Sequence, residues 1–114
     1  MIVVDDDAQV RESLESLLKS ADFCAASFPS AEGALQSAIL AEASCLITDV
    51  RMPGMHGLEL QRRIKREYPE LPVILITGHR DEEIRRSVLS EGAAALLYKP
   101  FDPNDLLRAI HEAI

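Results

Sequence analysis

Five short apolar runs, each followed by a stretch of helical periodicity, constrain this chain more than any other feature. The runs are Ile2–Asp5, Cys24–Phe28, Cys45–Asp49, Val73–Thr77 and Ala95–Tyr98. Several are continuously apolar rather than alternating, which marks parallel strands covered on both faces. The helices between them have readable ends. The first carries Val10, Leu14, Leu17 and Leu18 on one face. Ser30 caps a second, expected over Ala31–Ala41. A third spans Leu58–Tyr68 and is stopped by Pro69 and Pro72. The fourth opens near Asp81, carries Ile84 and Val88, and ends at Gly92. The last has Asp102 as cap and Pro103 in its first turn, then Leu106, Leu107, Ile110 and Ile114. Five βα units in series predict an α/β fold, a doubly wound five-stranded parallel sheet with five helices on its two sides. At this size the favoured arrangement is flavodoxin-like, with strand order 2-1-3-4-5.

With 114 residues the chain supports one hydrophobic core and one domain. The last helix runs to Ile114 without a stop signal, so residues 1–114 are expected to be a domain cut from something longer. No apolar run approaches the roughly 20 residues of a membrane span, and no signal peptide is legible, so a cytoplasmic location is the default expectation. A net charge of −7 argues against direct nucleic-acid binding, which needs a basic face. The basic run Gln61-Arg62-Arg63-Ile64-Lys65-Arg66 is read as a solvated helix face. Cys24 and Cys45 both fall in strand-like segments and are expected to be buried and reduced. In the 2-1-3 order they lie about 9–10 Å apart laterally, too far for a disulfide.

Ligands of such sheets bind beyond the carboxyl ends of the strands, where the strand order reverses. There the chain places Asp5-Asp6-Asp7 after strand 1, Asp49 after strand 3, Thr77 after strand 4 and Lys99 after strand 5. Any one of these acids could merely cap a helix, but four equivalent positions carrying polar groups are hard to assign to capping. Crowded carboxylates repel one another and need a cation or shared protons. An open all-oxygen site suits Mg²⁺. Lys99 adds a mobile positive charge and Thr77 a hydroxyl, an inventory that fits phosphoryl transfer, with a carboxylate as nucleophile.

These residues also carry a family resemblance. Val-Val-Asp-Asp-Asp at the start, Ile-Thr-Asp-Val-Arg-Met-Pro-Gly-Met-His-Gly at 47–57, Ile-Thr-Gly-His at 76–79 and Tyr-Lys-Pro-Phe at 98–101 resemble the receiver domains of two-component response regulators. The match spans essentially the whole chain, with the motifs in order and at family-like spacing. The resemblance implies a phosphorylation-activated switch. Asp49 is then the phosphoacceptor, Asp6 a direct Mg²⁺ ligand, and Asp5 the acid that holds the metal through water. The backbone carbonyl of Arg51 is the remaining protein ligand. Lys99 contacts the phosphoryl group, and Thr77 swings its hydroxyl toward it. Pro53, Gly54 and Gly57 shape the turn after the acceptor, and Lys99-Pro100 matches the family's cis peptide. Arg51 and His79 fall where the family tunes phosphate lifetime. Asp7 is read as a helix-start residue rather than a ligand, and His56 and His111 as surface histidines.

The implied partners are a sensor histidine kinase or phosphotransfer protein, and an output domain beyond the C-terminus, of helix-turn-helix transcriptional type. A phosphorylation-dependent homodimer is also implied, with signalling through the face of the fourth helix, fifth strand and fifth helix. The chain departs from the family at Leu96, where an aromatic switch residue is usual. Tyr98 is expected to take over part of that role, since Leu96 and Tyr98 share one face of the strand. Two rivals come from other classes. Ile-Val-Val-Asp-Asp-Asp also fits the opening of haloacid-dehalogenase-like Mg²⁺ phosphatases, with Asp5 as nucleophile and Asp7 as acid, but this leaves Asp49 unexplained. A flavin- or nucleotide-binding module would want a Gly- or Ser/Thr-rich loop where this chain has three acids.

Overall fold

The apolar runs form five parallel strands: β1 (Ile2–Val4), β2 (Ala26–Phe28), β3 (Leu46–Asp49), β4 (Val73–Thr77) and β5 (Ala95–Tyr98). They are drawn from a computed structural model that describes residues 1–114. The sheet order is β2-β1-β3-β4-β5, as the βα pattern predicts. Five helices connect and cover it: α1 (Ala8–Ser20), α2 (Ala31–Leu35), α3 (Gly57–Glu67), α4 (Glu82–Ser90) and α5 (Pro103–Ala113).

Strand alternation sends side chains into two separate cores. Ile2, Val4, Leu46, Val73 and Leu75 meet Leu60 and Ile64 of α3 and Val88 of α4. Val3, Ile47, Ile74 and Ile76 meet Leu14 and Leu18 of α1 and Leu106 and Ile110 of α5. Every residue of β4 is buried, which explains why its sequence is a continuous apolar run ending in Thr77. Each large aliphatic side chain removed from water here contributes roughly 1.5–3 kcal/mol.

Side-chain oxygens start four of the helices. Asp7, Ser30, Asp81 and Asp102 accept backbone N–H bonds from Gln9, Gly33, Glu83 and Asn104 in turn. For α3 the preceding residue, His56, provides no side-chain cap. The Gly57 N–H instead donates to the Val50 carbonyl at 2.9 Å. A Cβ on Gly57 would lie 2.1 Å from the Asp49 carbonyl oxygen, so the start of α3 rests directly on the chain leaving β3.

Three expectations need correction. The second helix stops at Leu35 rather than Ala41, and a separate 3₁₀ turn covers Ala38–Glu42. Ser37 accepts from the Ile39 N–H, a local bond that competes with helix continuation, while Leu40 is buried and anchors the turn. Cys24 lies outside β2 and is exposed, whereas Cys45 is buried, and burial pushes its thiol up to about 11. Both thiols are free. Gln61 is not part of a solvated face: it is fully buried, and its Nε2 donates to the Val88 carbonyl at 3.1 Å. Its neighbour Arg62 reaches Glu91 at 2.7 Å, and Lys65 lies against Gly92, so α3 grips the last turn of α4. Gly92 has φ of +93°, the left-handed helix terminator expected there. The Lys99–Pro100 peptide is cis.

Candidate functional site

The strand order brings the expected polar residues to one edge of the sheet. Asp5 follows β1 and is 2% exposed, Asp49 closes β3, and Lys99 follows β5. Lys99 Nζ spans the two acids, donating to Asp49 Oδ2 at 3.0 Å and to Asp5 Oδ2 at 3.2 Å. Asp5 Oδ1 accepts the Asp7 N–H at 2.9 Å, and Asp49 Oδ1 accepts the Arg51 N–H at 3.3 Å. Asp6 is exposed and points no oxygen at a donor. One carboxylate oxygen from each of Asp5, Asp6 and Asp49 lies within 4.8 Å of the others.

Burial and charge together set the state of Asp5 and Lys99. Burial raises the Asp5 carboxyl above its ordinary pKa, and the nearby Asp49 charge adds to this. The Asp7 N–H and Lys99 oppose the rise without cancelling it. For Lys99, burial alone would lower the pKa. The hydrogen bond and charge of Asp49, with the charge of Asp5, hold it above the usual lysine value instead. Three carboxylates thus cluster around a site with one ammonium, which reaches two of them. Such an excess of oxygen donors, with Asp6 unengaged and open to solvent, fits a small hard cation that keeps part of its water shell.

The ends of β4 and β5 complete the edge. Thr77 is buried, and its Oγ1 accepts the His79 N–H at 3.1 Å. Its carbonyl accepts the Lys99 N–H at 2.8 Å, and its register partner is Tyr98. The exposed Arg80 guanidinium lies 4.5 Å from the centre of the Tyr98 ring, an attractive cation–π distance.

All the predicted residues therefore share one edge, with Asp5, Asp49 and Lys99 in direct contact. Arg51 is exposed beside them, and Asp7 acts as the cap of α1. Sequence reasoning missed two residues. Arg11 donates through Nη1 to the Asp5 carbonyl at 2.7 Å, and Arg80 covers Tyr98. The signal for Arg11 was its place one helical turn after the acidic triplet. Nothing in the spacing of Arg80 and Tyr98 announces their contact, which depends on β4 and β5 being neighbours.

The arrangement defines a class, a parallel α/β sheet whose carboxyl edge sets an acid triad against a lysine. Comparison with known proteins narrows that class to a family. The model of the response regulator receiver domain matches residues 1–111. The transcriptional regulatory protein FixJ of Bradyrhizobium diazoefficiens is 38% identical over 112 residues, covering 98% of this chain and 55% of FixJ. The DNA-binding transcriptional regulator NtrC of Escherichia coli K12 is 38% identical over 112 residues, 98% of this chain and 24% of NtrC. A crystal structure of a response regulator receiver domain protein from Clostridium thermocellum superposes with a TM-score of 0.92. It is 32% identical and covers 99% of this chain and 91% of that one. The chain belongs to the response regulator receiver domain family of two-component signalling. It is a signalling switch, not an enzyme turning over an external substrate.

The chain spans about half the length of FixJ and about a quarter of NtrC. The phosphatase alternative gains no support from these comparisons. Asp5 is also less suited than Asp49 as a nucleophile, its side chain being 3% exposed against 12% for Asp49. No helix is long and apolar enough to cross a membrane.

Proposed function

We propose that the chain accepts a phosphoryl group on Asp49 in a Mg²⁺-dependent reaction and that this controls a transcriptional output domain joined beyond residue 114. The observation that carries this reading is the Lys99 ammonium, held 3.0 Å from Asp49 and 3.2 Å from Asp5 at the sheet edge. A phosphohistidine on a sensor kinase or phosphotransfer protein is the donor. An Asp49 Oδ bonds to phosphorus, the P–N bond breaks with its electron pair staying on the imidazole nitrogen, and that nitrogen takes up a proton from solvent. Asp6, Asp49 and the Arg51 carbonyl would hold the metal, with Asp5 reaching it through water. The positive charge that Mg²⁺ would supply there neutralises the phosphoryl oxygens. Lys99 turns from the carboxylates to a phosphoryl oxygen, and the Thr77 hydroxyl follows by releasing the His79 N–H.

The greater lengths of FixJ and NtrC, both transcriptional regulators, support an attached output domain. In this reading it is of helix-turn-helix type and is reached through the α4–β5–α5 face. Phosphorylation strengthens association at that face, including homodimerisation, and the whole protein works in the cytoplasm. The test is intact-mass measurement after incubation with acetyl phosphate. With Mg²⁺ the wild type gains one phosphoryl group. Asp49→Asn does not, and neither does wild type in chelator. Undiminished labelling of Asp49→Asn would refute the assignment.

A further inference from the structure

Arg11 lies on α1, four residues after Asp7 and beside a run of three acids. Its guanidinium nevertheless goes to a backbone oxygen: Nη1 donates to the Asp5 carbonyl at 2.7 Å. A charged donor at this distance makes one of the stronger hydrogen bonds available to a protein. The Asp5 carbonyl belongs to the planar peptide that leads into Asp6, so fixing the oxygen fixes the plane from which the Asp6 side chain departs.

The other groups of Asp5 are also held. Its N–H donates to the Phe28 carbonyl at 3.2 Å, Oδ1 takes the Asp7 N–H, and Oδ2 takes Lys99. None of these bonds controls the Asp5–Asp6 peptide plane as Arg11 does. Asp6, by contrast, is exposed and has no partner of its own, yet its carboxylate must stay near that of Asp49 to share a cation.

We propose that Arg11 is a positioning residue for the cation site, holding the Asp5–Asp6 peptide so that the Asp6 carboxylate stays beside Asp49. The inference rests on the Mg²⁺ reading of the acid triad. Two simpler roles predict different results. If Arg11 acts only as a nearby positive charge, its removal lessens repulsion and Mg²⁺ binds more tightly. If it only stabilises α1, the melting temperature falls and Mg²⁺ affinity stays the same. A positioning role weakens binding, and loss of a residue that orients a metal ligand typically costs 10–100-fold in affinity.

The measurement is Mg²⁺ affinity by isothermal titration calorimetry, without phosphodonor, at a temperature where circular dichroism shows each variant folded. Arg11→Ala is expected to bind Mg²⁺ about 10- to 100-fold more weakly than wild type, and Arg11→Lys, which keeps charge and donor, to fall between them. Asp6→Ala separates the two levels of the argument. If wild type binds no better than Asp6→Ala, the metal site itself is refuted, and this proposal with it. If Asp6→Ala binds weakly while Arg11→Ala matches or exceeds wild type, only the role of Arg11 is overturned. Should Arg11→Ala not fold, Arg11→Lys and Arg11→Gln decide the question: weaker binding in both supports positioning, and wild-type affinity in both rejects it.

Discussion

At the ends of β1 and β3 every polar group of Asp5 has a partner, and one lysine ties it to Asp49. Behind them the first residue of α3 touches the Asp49 carbonyl so closely that no side chain fits. At the ends of β4 and β5 the fastenings are fewer. The Thr77 side chain accepts a single loop N–H, and Tyr98 lies under an exposed arginine. The first half is built to hold charges at fixed separations, and the second can rearrange at a cost of about 1 kcal/mol per contact. Elements that move in switching are drawn from the less stable part of a structure. The proposed phosphoacceptor site thus rests mainly on the more firmly held half of the sheet edge, and the proposed transmission on the other half.

The sharpest way to break this contrast is Gly57→Ala. Its methyl carbon would lie 2.1 Å from a backbone oxygen, which only movement of α3 or of the chain after Asp49 can relieve. The expected loss is about 3 kcal/mol in thermal or urea unfolding, at the upper end for overpacking. A loss within 0.5 kcal/mol, about the experimental noise of surface substitutions, would mean that this half yields as readily as the other.

A smaller effect, with a definite pH signature, belongs to Asp5. Burial raises its carboxyl pKa, so the folded chain holds that proton more tightly than the unfolded chain does. The metal-free protein therefore loses stability as pH climbs from the ordinary carboxylate range through the raised value, and the penalty is complete above it. Asp5→Asn removes the penalty and should melt a few degrees higher than wild type at pH 7 in chelator, with the gap closing toward pH 4. Mg²⁺ at about 100 times its Kd should reverse the order by stabilising wild type by ~2.7 kcal/mol. An Asp5→Asn protein that melts below wild type at every pH without metal would show that the Lys99 bond outweighs burial.

The smallest effect is expected from Arg80→Ala, at less than about 1 kcal/mol. Tyr68 and Tyr98 are the only tyrosines, and there is no tryptophan. In a Tyr68→Phe background the emission of Tyr98 therefore reports the contact directly. Emission should change on Arg80→Ala while unfolding hardly moves. A stability loss matching that of Gly57→Ala would erase the distinction between the halves.

How much of this was legible in sequence depends on the range of the interactions. Strand order and the edge acids could be read because burial on both faces writes apolar runs, and the functional groups must follow them. Ser30 and Asp102 could be read as caps, and Asp7 and Asp81 as helix starts, because a cap bonds within three residues of itself. The end of the second helix could not, because Ser37 offered a competing local bond and Leu40 found a buried seat. Gln61 was misread for a longer-range reason. It stands in a basic run, and only the approach of α4 supplies the carbonyl that makes its burial affordable. Arg80 and Tyr98 have the same lesson: their contact is chosen by tertiary proximity that periodicity does not encode.

The grip of α3 on the last turn of α4 turns that helix into a lever with its pin at one end. Gln61 holds the Val88 carbonyl and Arg62 holds Glu91, while the opposite end starts just after Arg80 and the Thr77 loop. A helix of nine residues is about 13 Å long. A tilt of about 10° about the pinned end would carry the first turn through ~2 Å and leave the last turn almost still. Leu89, 42% exposed, rides near the pin, whereas the exposed Glu82, seven residues earlier on the same helix face, rides near the free end. A protein resting on that face would keep constant purchase at Leu89 and sense displacement at Glu82, so a single surface can both retain a partner and inform it.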